Sequence, residues 1–461
     1  MFGLHDALHA LDKQGTPIGV SVIGAGAAGL PFVDQVEMAP GMQTLVVVDI
    51  EPERAAACLA TAGIPEDRIA ICDSVEEADR ALAAGQRVAT SKLSLSWAVR
   101  GVDVVVEATG NPDVYAISAL NAIRAKKHYV TFNAEGDVAI GTILKTLADS
   151  AGVVYTGIHG DEPGIIKALY DEVSALGFTI VAAGRSDYAG GLPSWSRETV
   201  ADFMKDCRFG ATQQNLSMFA SFCDGTKSNE ELCQVANATG LAPDVRGMHG
   251  PIVPFDEYTY RMPQVMDTKE NGGILSRIGV VERVLPSDVP EDNTVWNFVV
   301  ARATNQFHKV FIGNYAAGTL AHPRTVEVLE TDHRNVLFYT PYHYVSAQAP
   351  ISVAFAAVHR QASIAPLTDA LTADVLAIAR KDLEVGTVLD EIGGVTTYGR
   401  IDRARVAKDG NLMPLALAQG ATIVKPVAKG EAIPFDAVRL ANEKAPLVLL
   451  RRLQDNLVDV R

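Results

Sequence analysis

Apolar positions fall at helical spacing from Leu4 to Leu11, and after a Gly15-Thr16-Pro17 break the chain enters an unbroken apolar stretch, Ile18 to Ile23. This predicts a short helix leading into a strand buried on both faces. Further apolar, β-branched runs follow at Thr44 to Asp49, Val102 to Ala108, His128 to Phe132, Val153 to Ile158 and Thr179 to Ala183, separated by segments such as Val114 to Ala125 with helical periodicity. Strands without polar alternation, interleaved with helices, predict a parallel sheet covered by helices on both sides. After about Arg185 the texture changes to loops rich in Gly, Pro, Ser and Asp around a helical stretch near Asn229 to Ala238, which predicts a mixed α/β domain. From about Pro366 short strands and turns predict a small β-rich C-terminal domain. The expected boundaries are 1–165, 166–365 and 366–461.

Composition narrows the class. Of 461 residues, 48% are hydrophobic and 21% charged, enough to bury a sizeable core. Forty Lys and Arg against 55 Asp and Glu leave a net charge of −15, so nucleic acid and anionic membrane are not expected partners, and an anionic ligand needs a local basic pocket. The five cysteines, Cys58, Cys72, Cys207, Cys223 and Cys233, form no ligand or disulfide spacing, which suits a reducing cytoplasm. The N-terminal stretch lacks a secretory pattern, and no run approaches the roughly 18 apolar residues of a membrane span. His308, His322 and His333 show no ligand spacing, and no metal site is assigned.

The first strand runs directly into Gly24-Ala25-Gly26-Ala27-Ala28-Gly29, followed by a helical pattern. In that setting Gly24 permits a tight turn, Gly26 lets backbone approach a pyrophosphate, and Gly29 allows close helix–strand packing, while the helix N-terminus offers N–H groups to phosphates. Asp49 ends the second strand 20 residues after Gly29, where a carboxylate accepts from adenosine ribose hydroxyls and repels a 2′-phosphate. Arg54 is the one nearby cation that softens this preference. Thr109 and Gly110 after a later strand, and Asn133 after the next, fall where a nicotinamide half would lie. The fold expected is a Rossmann-type doubly wound parallel sheet.

Polar clusters sit at other predicted strand ends. Asn133-Ala134-Glu135-Gly136-Asp137 is the first, and His159-Gly160-Asp161-Glu162-Pro163 the second. The acids of the second either cap the following helix or bind a hydroxyl or divalent ion. Gly184-Arg185-Ser186-Asp187 is the third. Asp224-Gly225-Thr226-Lys227 is an exposed turn or delivers a lysine to a cleft, and His249 in Gly247-Met248-His249-Gly250-Pro251 is structural or an acid–base group. Arg277 pairs locally or meets an anion.

In this order VIGAGAAG, FNAEGDVAIG, GDEPG, DGTK, ANATGLAPDVRGMHGP, GGILSRIGVV and PYHYVSAQAP resemble the deoxyxylulose-phosphate reductoisomerase-like family, which has a homoserine-dehydrogenase-like nucleotide domain. KDLEVGTVLDEIGG and LALAQGATIVKPVAKGEAI resemble the SAF-type β-clip domain that ends those proteins. The resemblance implies an oxidoreductase that isomerises and reduces 1-deoxy-D-xylulose 5-phosphate to 2-C-methyl-D-erythritol 4-phosphate with NADPH, an isoprenoid-precursor step aided by a divalent cation, Mg or Mn. It places Glu135, Asp161, Glu162, Lys227, Asn237 and His249 in the substrate cleft and implies a homo-oligomer. Lys227 or His249 would move the hydroxyl proton, Asp161 and Glu162 would orient hydroxyls, and Arg185 and Arg277 would hold an anionic group. Departures from the family redirect part of this. Asp49 favours NAD(H), with NADP(H) admitted; Arg185 and Arg277 replace lysines; and the Tyr188 to Trp195 loop lacks the family's asparagine-rich stretch. An NAD-linked dehydrogenase of another polyol phosphate or sugar acid, without isomerisation, therefore stands beside the reductoisomerase reading, as does a non-catalytic nucleotide- or sugar-binding sensor.

Overall fold

The structure, a computed structural model, describes residues 3–187, 191–205, 215–254, 257–286, 296–305 and 335–461. The chain packs as two units rather than three successive segments. Unit 1 is Met1–Gly164 with His343–Asp369 and Lys444–Val458, and unit 2 is Ile165–Tyr342 with Ala370–Glu443 and Asp459–Arg461.

Unit 1 alternates helix and strand from its start: α1 (Leu4–Gln14), β1 (Ile18–Ile23), α2 (Gly29–Met38), β2 (Met42–Val48), α3 (Pro52–Thr61), β3 (Ile69–Ile71), α4 (Val75–Ala83), β4 (Arg87–Thr90), α5 (Leu95–Ala98), β5 (Val104–Glu107), α6 (Pro112–Arg124), β6 (His128–Thr131), α7 (Ala134–Ala151) and β7 (Tyr155–Gly157), with α8 (Glu162–Ala175) following. The seven strands form one parallel sheet in the order β3-β4-β2-β1-β5-β6-β7. Every residue of β1 is buried, as its unbroken apolar run requires. Val20, Val22, Phe32, Val36, Leu59 and Val106 share one core with Ala349, Val353 and Ala354 from the later segment of the unit. The helix Pro446–Leu457 is fastened to α7 through Gln454, whose Nε2 donates to the Ala139 carbonyl at 2.9 Å and whose Oε1 accepts from the Ile143 N–H at 3.1 Å. A buried amide satisfied at both ends fixes where that helix docks.

The second sheet belongs to unit 2. Its strands are β8 (Thr179–Ser186), β9 (Ala242–Pro243), β10 (Ile252–Val253), β11 (Val280–Pro286), β12 (Asn297–Arg302) and β13 (Asn335–Thr340), in the order β10-β11-β8-β12-β13 with β9 beside β11. The Thr179 to Ala183 run therefore does not extend the parallel sheet of unit 1. It pairs parallel with β11 and antiparallel with β12. A short buried run fixes strand character, and long-range partners decide the sheet.

The helices α9 (Arg197–Lys205), α10 (Leu216–Cys223) and α11 (Thr226–Thr239) follow β8 in the chain. Beyond β13 come β14 (Ala370–Leu371), β15 (Ala373–Ala379) and β16 (Thr397–Arg403), with β15 and β16 antiparallel. The polar face of α11 holds this later segment. Thr226 Oγ1 accepts from the Gly399 N–H at 2.9 Å, Asn229 Oδ1 from Ile401 at 2.9 Å, and Asn237 Oδ1 from Thr372 and Ala373 at 3.0 and 2.9 Å. Those bonds make residues 370–443 part of unit 2, whereas 366–461 was expected to stand as one domain.

Cys58, Cys72, Cys223 and Cys233 are buried, and Cys207 lies outside the described residues. No described helix is long and apolar enough to cross a membrane.

Candidate active site

The site in unit 1 is built where β1 ends beside β5, the point at which the strand order reverses. Ile23 pairs with Glu107, so the two exits lie side by side, and the Ala108 N–H donates to the Ile23 carbonyl at 2.8 Å. Gly24 turns away with φ 101°, and its N–H donates to Val48 O at 2.7 Å. A Cβ on Gly24 would lie 2.9 Å from Ala108 O, and one on Gly29 only 1.8 Å from Gly24 O. These two glycines are demanded by backbone contact. Gly26 is different, because a Cβ there would meet nothing nearer than Arg54 Nη2 at 3.8 Å. Open space above Gly26, and an α2 N-terminus that no side chain caps, are what a pyrophosphate would use.

Asp49 follows β2 and ties the loop down. Its Oδ2 accepts from the Ala25 N–H at 2.9 Å, and its Oδ1 from Glu51 at 3.3 Å. Each oxygen keeps acceptor capacity for a ribose hydroxyl. Ala27 and Ala28 complete the loop, and the Ala28 carbonyl accepts from Ser346 Oγ at 3.0 Å.

On the β5 side, Glu107 is completely buried. Its Oε1 accepts from the Thr109 N–H at 2.7 Å and from the Thr109 hydroxyl, and its Oε2 from Thr131 Oγ1 at 3.1 Å. Burial pushes the carboxyl up to about 7 even though these bonds pull it down. Gly110 has φ 68°, and Asn111 next to it caps α6. Asn133 caps α7 through a bond from the Gly136 N–H to Oδ1 at 2.7 Å, while its buried Nδ2 has no partner among the described residues. An orphaned donor of that kind at a strand exit suits a carboxamide acceptor. Glu135, in the first turn of α7, is half-buried. Asp161 is half-buried and Glu162 buried, with His343 Nε2 3.6 Å from Glu162 Oε1.

Unit 2 carries the other predicted residues. Asp224-Gly225-Thr226-Lys227 is no exposed turn: Gly225, at φ 80°, starts α11, and Asp224 and Thr226 are fully buried. Lys227 Nζ lies 3.9 Å from Glu231 Oε1, one helical turn on, and Arg185 from β8 pairs with the other Glu231 oxygen. Arg185 is thus committed to a buried carboxylate. Asp187 accepts from Ser228 and, at 2.6 Å, from Arg283 Nη1; Asp224 accepts from Arg380 Nη2 at 2.5 Å. Arg400, whose Nη1 donates to the Asp224 carbonyl at 3.1 Å, is lowered to about 10 by burial and by the like charge of Arg283. His249 Nε2 is 2.9 Å from Asp244 Oδ2, a carboxylate that also accepts from Ser276. Burial opposes ionisation of Asp244, but the bonds from Ser276 and His249 outweigh it and hold the carboxyl low. Asn237 spends its amide on the β15 backbone, and Arg277 is exposed.

Glu231, Arg283, Arg380 and Arg400 were not singled out from sequence. Only Glu231 had a readable signal, its position four residues after Lys227 on one helix face. His308, His322, His333 and the loop residues Tyr188, Ala189 and Gly190 lie outside the described residues.

Residues 160–349 match the family model described as "Oxidoreductase DRL, catalytic domain". Asp161, Glu162, Arg185, Lys227, Asn237, His249 and Arg277 all fall inside that segment. No curated protein sequence matches the chain. Among solved structures, it is similar to a protein described as a myo-inositol dehydrogenase from Sinorhizobium meliloti 1021, at 13% identity over 74% of this chain and 89% of that one, with a TM-score of 0.36. It is also similar to an oxidoreductase from Agrobacterium radiobacter solved with NAD+, L-tartaric acid and magnesium (15% identity, 38% and 45% covered, TM-score 0.28). A third is the WlbA dehydrogenase from Bordetella pertussis solved with NADH and UDP-GlcNAcA (16%, 36% and 43%, TM-score 0.25). The chain spans less than half the length of the latter two. In sequence, an oxidoreductase catalytic segment follows a Rossmann-type sheet, the combination expected of an NAD(P)-dependent oxidoreductase.

The glycine loop gives a paired expectation. Gly29→Ala forces a backbone clash and should cost about 1–3 kcal/mol or more in urea unfolding. Gly26→Ala should unfold like the parent yet bind NADH at least about tenfold more weakly, a loss of about 1.4 kcal/mol by fluorescence titration; equal NADH affinity would remove Gly26 from the site. Glu107 gives a second. Its folded pKa of about 7 exceeds the ordinary 4.5, so the folded state binds the extra proton between those values. Stability should therefore fall as pH rises from about 4.5 to 7, by up to roughly 3 kcal/mol. Glu107→Gln should flatten that slope, as read by urea unfolding across this range, and an unchanged slope would show that Glu107 is not its source.

Proposed function

We propose that the chain transfers hydride between NAD(H) and the carbinol carbon of a small polyol phosphate or related sugar acid. The observation that carries this is the glycine loop held by Asp49, with space above Gly26 and a carboxylate at the end of β2. Gly24 to Gly29 would hold the pyrophosphate and Asp49 the adenosine ribose hydroxyls, which favours NAD(H). Arg54, beside Gly26, keeps NADP(H) within reach. The dinucleotide supplies or accepts the hydride; Asn133 Nδ2, Thr109 and Gly110 would orient its carboxamide end. Lys227 is the proposed proton-transfer residue, with Glu231 one turn away to keep it charged until it gives its proton up. His249, oriented by Asp244, is the second candidate. Glu135, Asp161 and Glu162 are proposed to bind substrate hydroxyls, directly or through a divalent cation. Arg277 is the proposed anion partner, since Arg185 already neutralises Glu231.

The reductoisomerase reading rests on the sequence motifs and makes 1-deoxy-D-xylulose 5-phosphate the first substrate to try. The SAF-type reading of the later β segment rests on its sequence pattern, with β15 paired to β16 and Thr422–Ile423 to Val438–Arg439. Oxidation of NADH should be followed with 1-deoxy-D-xylulose 5-phosphate and with keto forms of polyol phosphates and sugar acids, and each product identified by NMR. A branched carbon skeleton means isomerisation with reduction, and an unbranched alcohol means simple dehydrogenase chemistry. In whichever reaction runs, Lys227→Gln should lower kcat about 10²–10⁴-fold with NADH affinity unchanged. Full turnover by that variant would exclude Lys227 from the chemistry, and tight NADH binding without turnover on any substrate would favour a sensor.

A further inference from the structure

We propose that unit 1 carries a second ligand site, for a small organic anion with an apolar body, at the amino ends of β1, β5 and β6. This is the sheet edge opposite the glycine loop. A cavity of about 590 Å³ opens there, walled on its apolar side by Leu11, Ile18, Val102 and Val358. Lys126, Lys127, His128 and Arg360 line the rest, with Asp103 as the acid. Three full positive charges against one negative make this a basic pocket on a chain whose net charge is −15.

The hydrogen bonding inside the pocket asks for an acceptor. His128 Nδ1 accepts from the Val154 N–H at 2.9 Å, so the neutral ring carries its proton on Nε2. Arg360 Nη1 is packed against that same Nε2. A guanidinium N–H has no acceptor to offer an imidazole N–H, so two donors meet at the pocket wall without an acceptor. Burial, followed by the charge of Arg360, lowers His128 to about 4 and keeps the ring neutral. Asp103 does not fill the role with Oδ2, which accepts from the Gly19 N–H at 2.9 Å. Lys127 is spent in part, its Nζ donating to Val102 O at 2.6 Å, while Lys126 is exposed and its ammonium has no hydrogen bond or ion pair among the described residues.

Backbone conformation singles out the same two cations. Lys126 and Arg360 have φ of 58° and 57°, and they are two of the four described non-glycine residues with positive φ. Glycine would occupy either position with less strain, so a long cationic side chain there is not explained by the turn it makes. An anionic head set in the cavity against Arg360, Lys126 and His128 would accept from these donors, with its apolar body on Leu11 and Val358.

Hexyl phosphate is a suitable probe, titrated calorimetrically into the full chain beside inorganic phosphate and hexanol, with and without saturating NADH. Hexyl phosphate should bind more tightly than either control, and NADH should not displace it. Lys126→Gly and Arg360→Gly should each weaken it at least tenfold while leaving the thermal midpoint unchanged or raised, so that lost binding is not lost folding. Absence of hexyl phosphate binding, displacement by NADH, or unchanged affinity in both glycine variants would overturn the proposal.

Discussion

The closest constraint in unit 1 is the meeting of two strand exits. Where β1 leaves the sheet, Gly24 lies against the Ala108 carbonyl of the β5 exit, and Gly29 lies against Gly24 itself. No side chain larger than hydrogen fits at either position, so the turn, the start of α2 and the loop after β5 are set by one backbone contact. Asp49 then joins the end of β2 to the same loop through Ala25. Three strand ends are thereby registered to one another before any ligand is considered.

Each unit also buries charge at a cost. Among the described residues Glu107 is buried with no cation bonded to it and relies on two threonines, and unit 2 buries Arg185 with Glu231, Asp187 with Arg283, and Asp224 with Arg380. Buried pairs of this kind add little stability over apolar replacements, and removing one partner leaves an uncompensated charge. Perturbed ionisable groups cluster where chemistry is done. The helix α11 combines both roles. Lys227 and Glu231 are candidates for chemistry, and Asn229 and Asn237 fasten the later β segment by its backbone.

Much of unit 1 was legible in the sequence because its signals are local. The runs that became β1, β2, β5, β6 and β7, the glycine spacing, and Asp49 can each be read within a few dozen residues. The short strands β3, at the sheet edge, and β4, next to it, gave too few apolar positions to register. What failed depends on long-range pairing: β8 joined a different sheet, the C-terminal segment divided between the units, and Arg380 and Arg400 reached Asp224 from far along the chain. Asn237 looked like a ligand residue because its motif is distinctive, yet its amide is consumed by Thr372 and Ala373. Lys227 looked like a turn residue because Asp-Gly usually makes one, and here Gly225 opens a helix instead.

The exits of β1, β2 and β5 are proposed to form a dinucleotide site whose carboxylate at Asp49 selects against a 2′-phosphate. Calorimetric titration of the full chain with NADH and with NADPH under the same conditions tests it most directly. One NADH site per chain is expected, with NADPH binding more weakly. Heat from neither nucleotide would contradict the site itself, and tighter NADPH binding would contradict the role given to Asp49.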